Sequence, residues 1–284
     1  MKNEINEYIE WKKMYTQHAW EKYAVWIRRL QFFTKKPIDE IEIGDLQRFI
    51  EVQKLKFAPK NVEYGMDIIH NFFTFWKARG KQCLDPDLVR VPRSRGISRT
   101  HTTEEIFKRI IDFLPVNEFI SLRDNVITRI LHDTGCRISE VLSIDIKNLE
   151  DYSALVPTRK TKEWRTIFWS EETRKLLFEK YIPIRICLDD STDALFVSKY
   201  GESSRGRLTN RTYQRNLKTI CTELGIKDIT PHSFRHGKAH AMVAKDASIS
   251  DIAHILGHRN IQSSMKYLTL SVDEMFRRAK KYLV

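Results

Sequence analysis

Cysteine is scarce in this chain of 284 residues, and it is never clustered. Cys83, Cys136, Cys187 and Cys221 stand far apart, and no Cys-x-x-Cys pair occurs. That spacing excludes a disulfide framework and fits reduced thiols in a cytosol. Long apolar runs are missing too: none approaches the ~20 residues that a membrane-spanning helix needs. The opening stretch MKNEINEYIEWKK carries acids and no apolar core, so it does not read as a secretory signal. Internal repeats and low-complexity tracts are absent. The expectation is a soluble, cytoplasmic protein with no membrane partner. Acidic residues are in deficit, 37 against 49 Lys and Arg, which leaves a net charge of +12. An excess of that size points to a polyanion, either nucleic acid or an acidic membrane surface. What is present is ample apolar material. The chain is 42% hydrophobic and 11% aromatic, enough for a core and too much for a disordered chain. Its length suits one large or two ordinary domains.

The first ninety residues read as helices. A stripe of Tyr23, Trp26, Ile27, Leu30 and Phe33 recurs at three- and four-residue steps. Leu46, Phe49 and Ile50 repeat it behind Asp45, a carboxylate suited to a helix N-terminus. Tyr64, Ile68, Ile69, Phe72, Phe73 and Trp76 form a third stripe that stops at Gly80. With a helix over Ile5 to Trp20, this suggests a four-helix unit whose aromatics are mostly core. The texture then changes to RVPRSRGISRTH, which holds Arg90, Arg93, Arg95 and Arg99, no acid and no periodicity. It reads as a domain linker, and its arginines suit a segment crossing a phosphate backbone.

Beyond it, Thr102-x-x-Glu105 has the capping-box pattern ahead of an apolar helix. A second helix covers Ile120 to His132, turns at Gly135, and a new helix starts over Arg137 to Ser143. Two strands, Ala154–Pro157 and Trp164–Trp169, flank a basic turn containing Arg159, Lys160 and Lys162. Ala194 to Ser198 reads as a third strand. Helices follow over 170–181, 209–224 and 231–245, the last with Thr230 as N-cap and Pro231 at its first position. Short helices at 250–257 and 262–268 precede a closing helix, DEMFRRAKKYL.

The stretch HSFRH, residues 232 to 236, raises the chemical question. His232/His236 and His254/His258 are each four apart, so each pair shares a helix face. A metal reading is weak, because Ser233 stands where a metalloprotease motif needs Glu and Arg235 would repel a cation. An anion reading fits better. With Pro231 at the first helical position, His232 to Arg235 fill the first turn, where unpaired N–H groups and the helix dipole favour negative charge. Arg235 adds a bidentate phosphate donor there. Arg137, just after Gly135, has a similar setting. Lys160, taken alone, reads as an ordinary solvated lysine, and Tyr267, taken alone, as a core residue. A Tyr hydroxyl is also a phosphoryl acceptor.

In order, TGCRISE, the basic hairpin with Lys160, HSFRH, LGH and a Tyr nine residues past that His resemble the boxes of the tyrosine recombinase (phage integrase) family. The resemblance covers the whole chain. Its size is most similar to Xer-type resolvases or small mobile-element integrases. It implies an all-α, four-helix core-binding domain over 1–92 that contacts DNA and a linker over 93–101. A mainly α, α+β catalytic domain with a small antiparallel sheet then spans 102–284. It implies that Arg137 and Arg235 hold the scissile phosphate, Tyr267 is the nucleophile, and His232 and His258 fill the two histidine positions. Lys160 is then the hairpin lysine and Glu140 the acid that supports the first arginine. The family's hairpin is often Gly-Lys-Gly, whereas Arg159-Lys160-Thr161 stands here, so Lys162 is a second candidate. Arg93, Arg95, Arg99, Arg159 and Lys162 are the expected DNA contacts.

The physical chemistry agrees with those roles. A Tyr hydroxyl with a pKa near 10 needs help to attack at neutral pH. Two guanidiniums and a helix N-terminus favour the phenolate and the charge of a pentacoordinate phosphorane. No metal and no cofactor is called for. The implied partners are double-stranded DNA, gripped between the two domains, and three further copies in a tetramer on two DNA sites, with or without an accessory protein. Other classes stay open. One is a catalytically silent DNA-binding regulator of the same fold. Another is a type IB topoisomerase-like relaxase, acting as a monomer without site preference. A third is a metal-dependent hydrolase.

Overall fold

A computed structural model describes residues 1–16, 20–88, 100–158, 163–188, 191–198 and 206–257. The expected DNA contacts Arg93, Arg95, Arg99, Arg159 and Lys162 lie outside the described residues, as do Lys160, His258, Tyr267 and the two helices expected after residue 258. The chain divides into two compact units, Met1–Ser98 and Arg99–Val284. Among the described residues no helix is long and apolar enough to cross a membrane.

The first unit contains α1 (Lys2–Tyr15), α2 (Trp20–Thr34), α3 (Ile43–Lys56) and α4 (Pro59–Lys77). The single first helix expected over Ile5 to Trp20 is instead two elements: α1 stops at Tyr15 and Trp20 opens α2. α3 begins where the Asp45 carboxylate accepts the Glu42 N–H at 3.0 Å, as a helix N-terminus prefers. α4 buries Val62, Met66, Ile69, Phe72, Phe73 and Trp76, although Tyr64 of the expected stripe stays exposed. Tyr8 packs edge-on against Phe72 and Phe75, with ring centres 5.2 and 5.1 Å away. Gly65 sits mid-helix at a propensity cost of about 1 kcal/mol. Its reason is Trp26, whose indole lies on the helix backbone: a Cβ at 65 would come within 2.3 Å of that ring.

The second unit is built around α6 (Phe119–Thr134), whose Leu122, Val126, Ile127, Ile130 and Leu131 are fully buried. α5 (Glu104–Phe113) precedes it and α7 (Ile138–Val141) follows. The N-cap of α5 is Thr103, whose hydroxyl accepts the Ile106 N–H at 3.3 Å; it is not Thr102 as the sequence pattern suggested. Thr102 is used elsewhere. Strands β1 (Leu149–Glu150), β2 (Ser153–Pro157) and β3 (Trp164–Phe168) form an antiparallel sheet in that order, with Ala154 opposite Ile167 and Val156 opposite Arg165. α8 (Glu171–Lys175) runs through a wide π-helical stretch, Leu176–Tyr181, into α9 (Ile182–Leu188). α10 (Asn210–Glu223), α11 (Pro231–Ala244) and α12 (Ile249–Leu256) complete the described part.

The apolar run Ala194 to Ser198 is not a strand of the sheet, contrary to expectation. It makes only isolated bridges, Asp145 with Ala194 and Val197 with Arg207. Phe196 O takes the Leu208 N–H at 2.8 Å, but three other carbonyls of the run are taken by side chains. Arg185 donates to Ala194 O, Tyr181 Oη to Leu195 O, and Arg123 to Val197 O. Buried backbone acceptors must be paired somewhere, and here buried arginines replace a ladder.

Candidate active site

The site forms where α6 ends. Gly135 takes the left-handed conformation, φ 62° and ψ 20°, and closes the helix with its N–H on Leu131 O. The chain re-enters helix three residues later, at Ile138, with Arg137 as the N-cap. There the Glu140 carboxylate accepts the Arg137 N–H at 3.2 Å and the Arg137 Nη1 at 2.8 Å. Glu140 is 1% exposed and the Arg137 side chain 33%, so a buried anion holds a guanidinium that reaches solvent. Burial alone would push the Glu140 carboxyl up. The Arg165 guanidinium beside it, with the hydrogen bonds from Arg165 and Arg137, outweighs burial and holds it below the usual carboxylate range.

Arg235 comes from α11. Thr230 is the N-cap, Pro231 opens the helix, and Ser233 Oγ accepts the Thr230 N–H at 3.1 Å. This leaves His232 exposed in the first turn and Arg235 buried one step further along. Arg235 Nη1 donates to Gly135 O at 3.0 Å, which ties α11 to the turn that carries Arg137. From the other side, the Thr102 N–H and Oγ1 both donate to Ser233 O, at 3.1 and 3.0 Å. Gly237 makes that approach possible, because a Cβ there would sit 2.3 Å from Thr102 O.

Of the six expected catalytic residues, the described structure contains Arg137, His232 and Arg235, together with the supporting Glu140. The turn 135–140 joins both arginines to that acid, and His232 stands at the start of Arg235's own helix. Chemically, two guanidiniums and the opening N–H groups of a 14-residue helix can hold a phosphodiester and the extra charge of its transition state. Among the described residues, no group of three or more His, Cys, Asp or Glu is placed to hold a metal ion.

Sequence reasoning missed Arg165. On β3 it shares the inward register of Ile167, and its Nη2 donates to Glu140 Oε2 at 2.9 Å and to Cys136 Sγ at 3.0 Å. The signal was available. A cation in step with Ile167 and Trp169 faces the interior, and an inward cation needs a buried carboxylate. Cys136 is fully buried, and burial pushes its thiol up, which leaves a neutral packing residue beside Arg137.

Comparison with known proteins places this arrangement. The profile described as the phage integrase family matches residues 100–274. The tyrosine recombinase XerA of Saccharolobus solfataricus is 32% identical over 155 residues, which are 54% of this chain and only 48%, about half, of that protein. The tyrosine recombinase XerC of Lactobacillus delbrueckii subsp. bulgaricus is 24% identical over 245 residues, covering 84% of this chain and 81% of its own. Among solved structures, the Tn1549 transposon integrase in complex with transposon right end DNA superposes with a TM-score of 0.79 at 17% identity, over 98% of each chain. A lambda integrase tetramer bound to a Holliday junction gives 0.75 at 13% identity, over 94% of this chain and 76% of that one. At such identities the two structures establish a shared fold.

Proposed function

Because this chain belongs to the phage integrase family and is a tyrosine-type DNA recombinase, we propose that it cleaves and rejoins duplex DNA at specific sites through a 3′-phosphotyrosine. Arg137 and Arg235 hold the non-bridging oxygens of one phosphodiester. Tyr267 attacks phosphorus, and the bond to the 5′-oxygen breaks. Lys160, or Lys162 two residues on, gives that oxygen its proton. His232 accepts the tyrosine proton or bonds a phosphate oxygen, and His258 fills the second histidine position. The ester energy is kept in the phosphotyrosine, so attack by a 5′-hydroxyl of another strand rejoins DNA without ATP. The positive charge that a metal supplies in other phosphoryl-transfer sites comes from side chains.

The observation that carries this reading is the link between the two arginines. Arg137 is presented to solvent by a buried carboxylate, and Arg235 is bonded to the carbonyl two residues before it. Residues 1–92 and the Arg-rich linker, 93–101, supply DNA contacts, and residues 102–284 the chemistry. The relatives caught on DNA, one of them as a tetramer on a Holliday junction, support an assembly of four copies exchanging strands in pairs.

Tyr267→Phe tests the reading. Only a hydroxyl is removed, so the variant is expected to bind duplex DNA as the unmutated chain does and to form no covalent adduct with a nicked suicide duplex on a denaturing gel. An adduct from the Phe variant would move the nucleophile elsewhere, with Tyr282 the next residue to change.

A further inference from the structure

Arg165 lies outside the residues that act on phosphate, yet it touches three segments that carry them. On β3 it belongs to the strand that leaves the basic hairpin turn. Its Nη2 donates at 2.9 Å to Glu140 Oε2, which also takes the Arg137 N–H, while the Arg137 guanidinium is on the opposite oxygen. Its Nη1 donates to Ile255 O at 2.8 Å, in the last turn of α12. Two residues later, Gly257 takes a left-handed conformation, φ 66° and ψ 47°, and sends the chain on to His258. The packing there is close: a Cβ on Gly257 would sit 3.0 Å from Arg165 Nε. One side chain, 15% exposed, therefore bonds the Arg137 support, the sulfur of Cys136 and the end of the helix before His258.

A buried carboxylate with a single cationic partner would bond that partner closely on both oxygens and spend its charge. With Arg165 on one oxygen, Glu140 meets the Arg137 guanidinium through one nitrogen only, Nη1, and the rest of that guanidinium stays available for an anion. Resting on the recombinase reading above, we propose that Arg165 is the positioning residue of the strand-transfer site. It fixes Glu140 so that Arg137 is aimed at the scissile phosphate, and it ties β3 to the last turn of α12.

The test compares the unmutated chain with Arg165→Gln, Arg165→Lys, Glu140→Gln and the double Arg165→Gln/Glu140→Gln. The readouts are duplex-DNA affinity, the pH profile of adduct formation on a nicked suicide duplex, and the titration of the Glu140 carboxyl by NMR with labelled glutamate. Arg165→Gln is expected to keep its DNA affinity while adduct formation slows on the order of 10²-fold, the scale of a misplaced reacting group. The acid side of its pH profile should move upward, because Glu140 loses the cation that offsets its burial. Arg165→Lys should restore part of the rate and of the shift. The double variant should be no slower than the slower single and should lack the shift, since it has no carboxyl at 140 to titrate. Adduct formation by Arg165→Gln at the unmutated rate and profile overturns the proposal, and so does a loss confined to DNA affinity or additive with Glu140→Gln. If the unmutated chain traps no DNA at all, the recombinase reading is what fails. The carboxyl titration then still reports on Arg165: an unmoved Glu140 in Arg165→Gln rejects its role.

Discussion

Arg235 donates a hydrogen bond to the carbonyl of Gly135 at 3.0 Å, joining residues a hundred positions apart in the chain. The bond depends on how Gly135 turns the chain. Its left-handed conformation ends α6 and leaves its carbonyl facing α11. It also lets the turn lie close to α12, because a Cβ at 135 would meet Leu256 Cδ2 at 2.5 Å. Both arginines of the proposed phosphate grip are thus referred to one glycine.

Gly135→Ala should therefore destabilise the second unit by about 2–5 kcal/mol, the sum of left-handed backbone strain and a displaced leucine. Chemical denaturation monitored for each unit measures it. Gly80→Ala is the control. Its φ is also positive, 74°, but nothing lies within 4 Å of the added carbon, so it should cost only the backbone share, in the first unit. Equal losses from the two substitutions would show that the Leu256 contact relaxes freely.

Gly237→Ala should be more damaging, because its obstacle is backbone. The added carbon would lie 2.3 Å from Thr102 O, and neither chain can yield by rotating a side chain. The segment around Thr102 must then leave the first turn of α11, and its two hydrogen bonds to Ser233 O go with it. Amide exchange at Thr102 should accelerate in this variant. Thr102→Val, which deletes only the hydroxyl bond, should cost about 1 kcal/mol and leave that amide protected.

The fate of Glu140 on acidification follows from the direction of its shift. Its folded carboxyl titrates below the usual range, so its contribution to stability is complete above the unfolded value, and it is lost as pH falls through the lower, folded value. The second unit should weaken below about pH 4. Glu140→Gln should remove its share of that slope. At neutral pH the variant should cost about 3–5 kcal/mol, because Arg165 is left buried without its counter-charge. Stability measured by denaturant between pH 3 and 7 in both proteins decides the point. Parallel slopes in the acid range would mean that Glu140 is not held low.

Much of this was legible in the sequence. Helical stripes gave α2, α3 and α4, and the Thr230-Pro231 start of α11 could be read from its two residues, because caps and apolar periodicity are local. Thr102 and Thr103 could not be told apart that way. Each offers a hydroxyl at a helix start, and only the approach of Ser233 from 131 positions away makes Thr102 the anchor and Thr103 the cap. Ala194 to Ser198 misled for the same reason. An apolar run reads as a strand when the groups that take three of its carbonyls, Arg123, Tyr181 and Arg185, are invisible to a local pattern. At the site, Arg137 and Arg235 carried a motif. Arg165 carried none, and its meaning appears only when β3 is paired and its inward register meets Glu140.

Metal removal should leave the reaction intact. If Arg137, Arg235 and the hairpin lysine supply the charge at phosphorus, cleavage and rejoining persist in excess EDTA. Gel assays with and without chelator measure this. Complete loss, restored by Mg²⁺ or Zn²⁺, would reject the mechanism, whereas mild stimulation by divalent ions reflects screening of DNA charge.

The general acid can be located by changing the leaving group. Lys160→Ala should slow cleavage of ordinary DNA by roughly 10²–10⁴-fold, as for the loss of a proton donor. A substrate with sulfur in place of the bridging 5′-oxygen has a leaving group that needs no proton, so the same variant should cleave it nearly as fast as the unmutated chain does. Arg137→Ala should show no rescue, because its role lies on the non-bridging oxygens. The hairpin reads Arg159-Lys160-Thr161-Lys162, with two lysines that could reach the same oxygen, so Lys162→Ala is run beside it. Rescue of Lys162→Ala and not Lys160→Ala moves the acid two residues along. Rescue of neither moves it out of the hairpin, and His232, exposed in the first turn of α11, is then the group to replace.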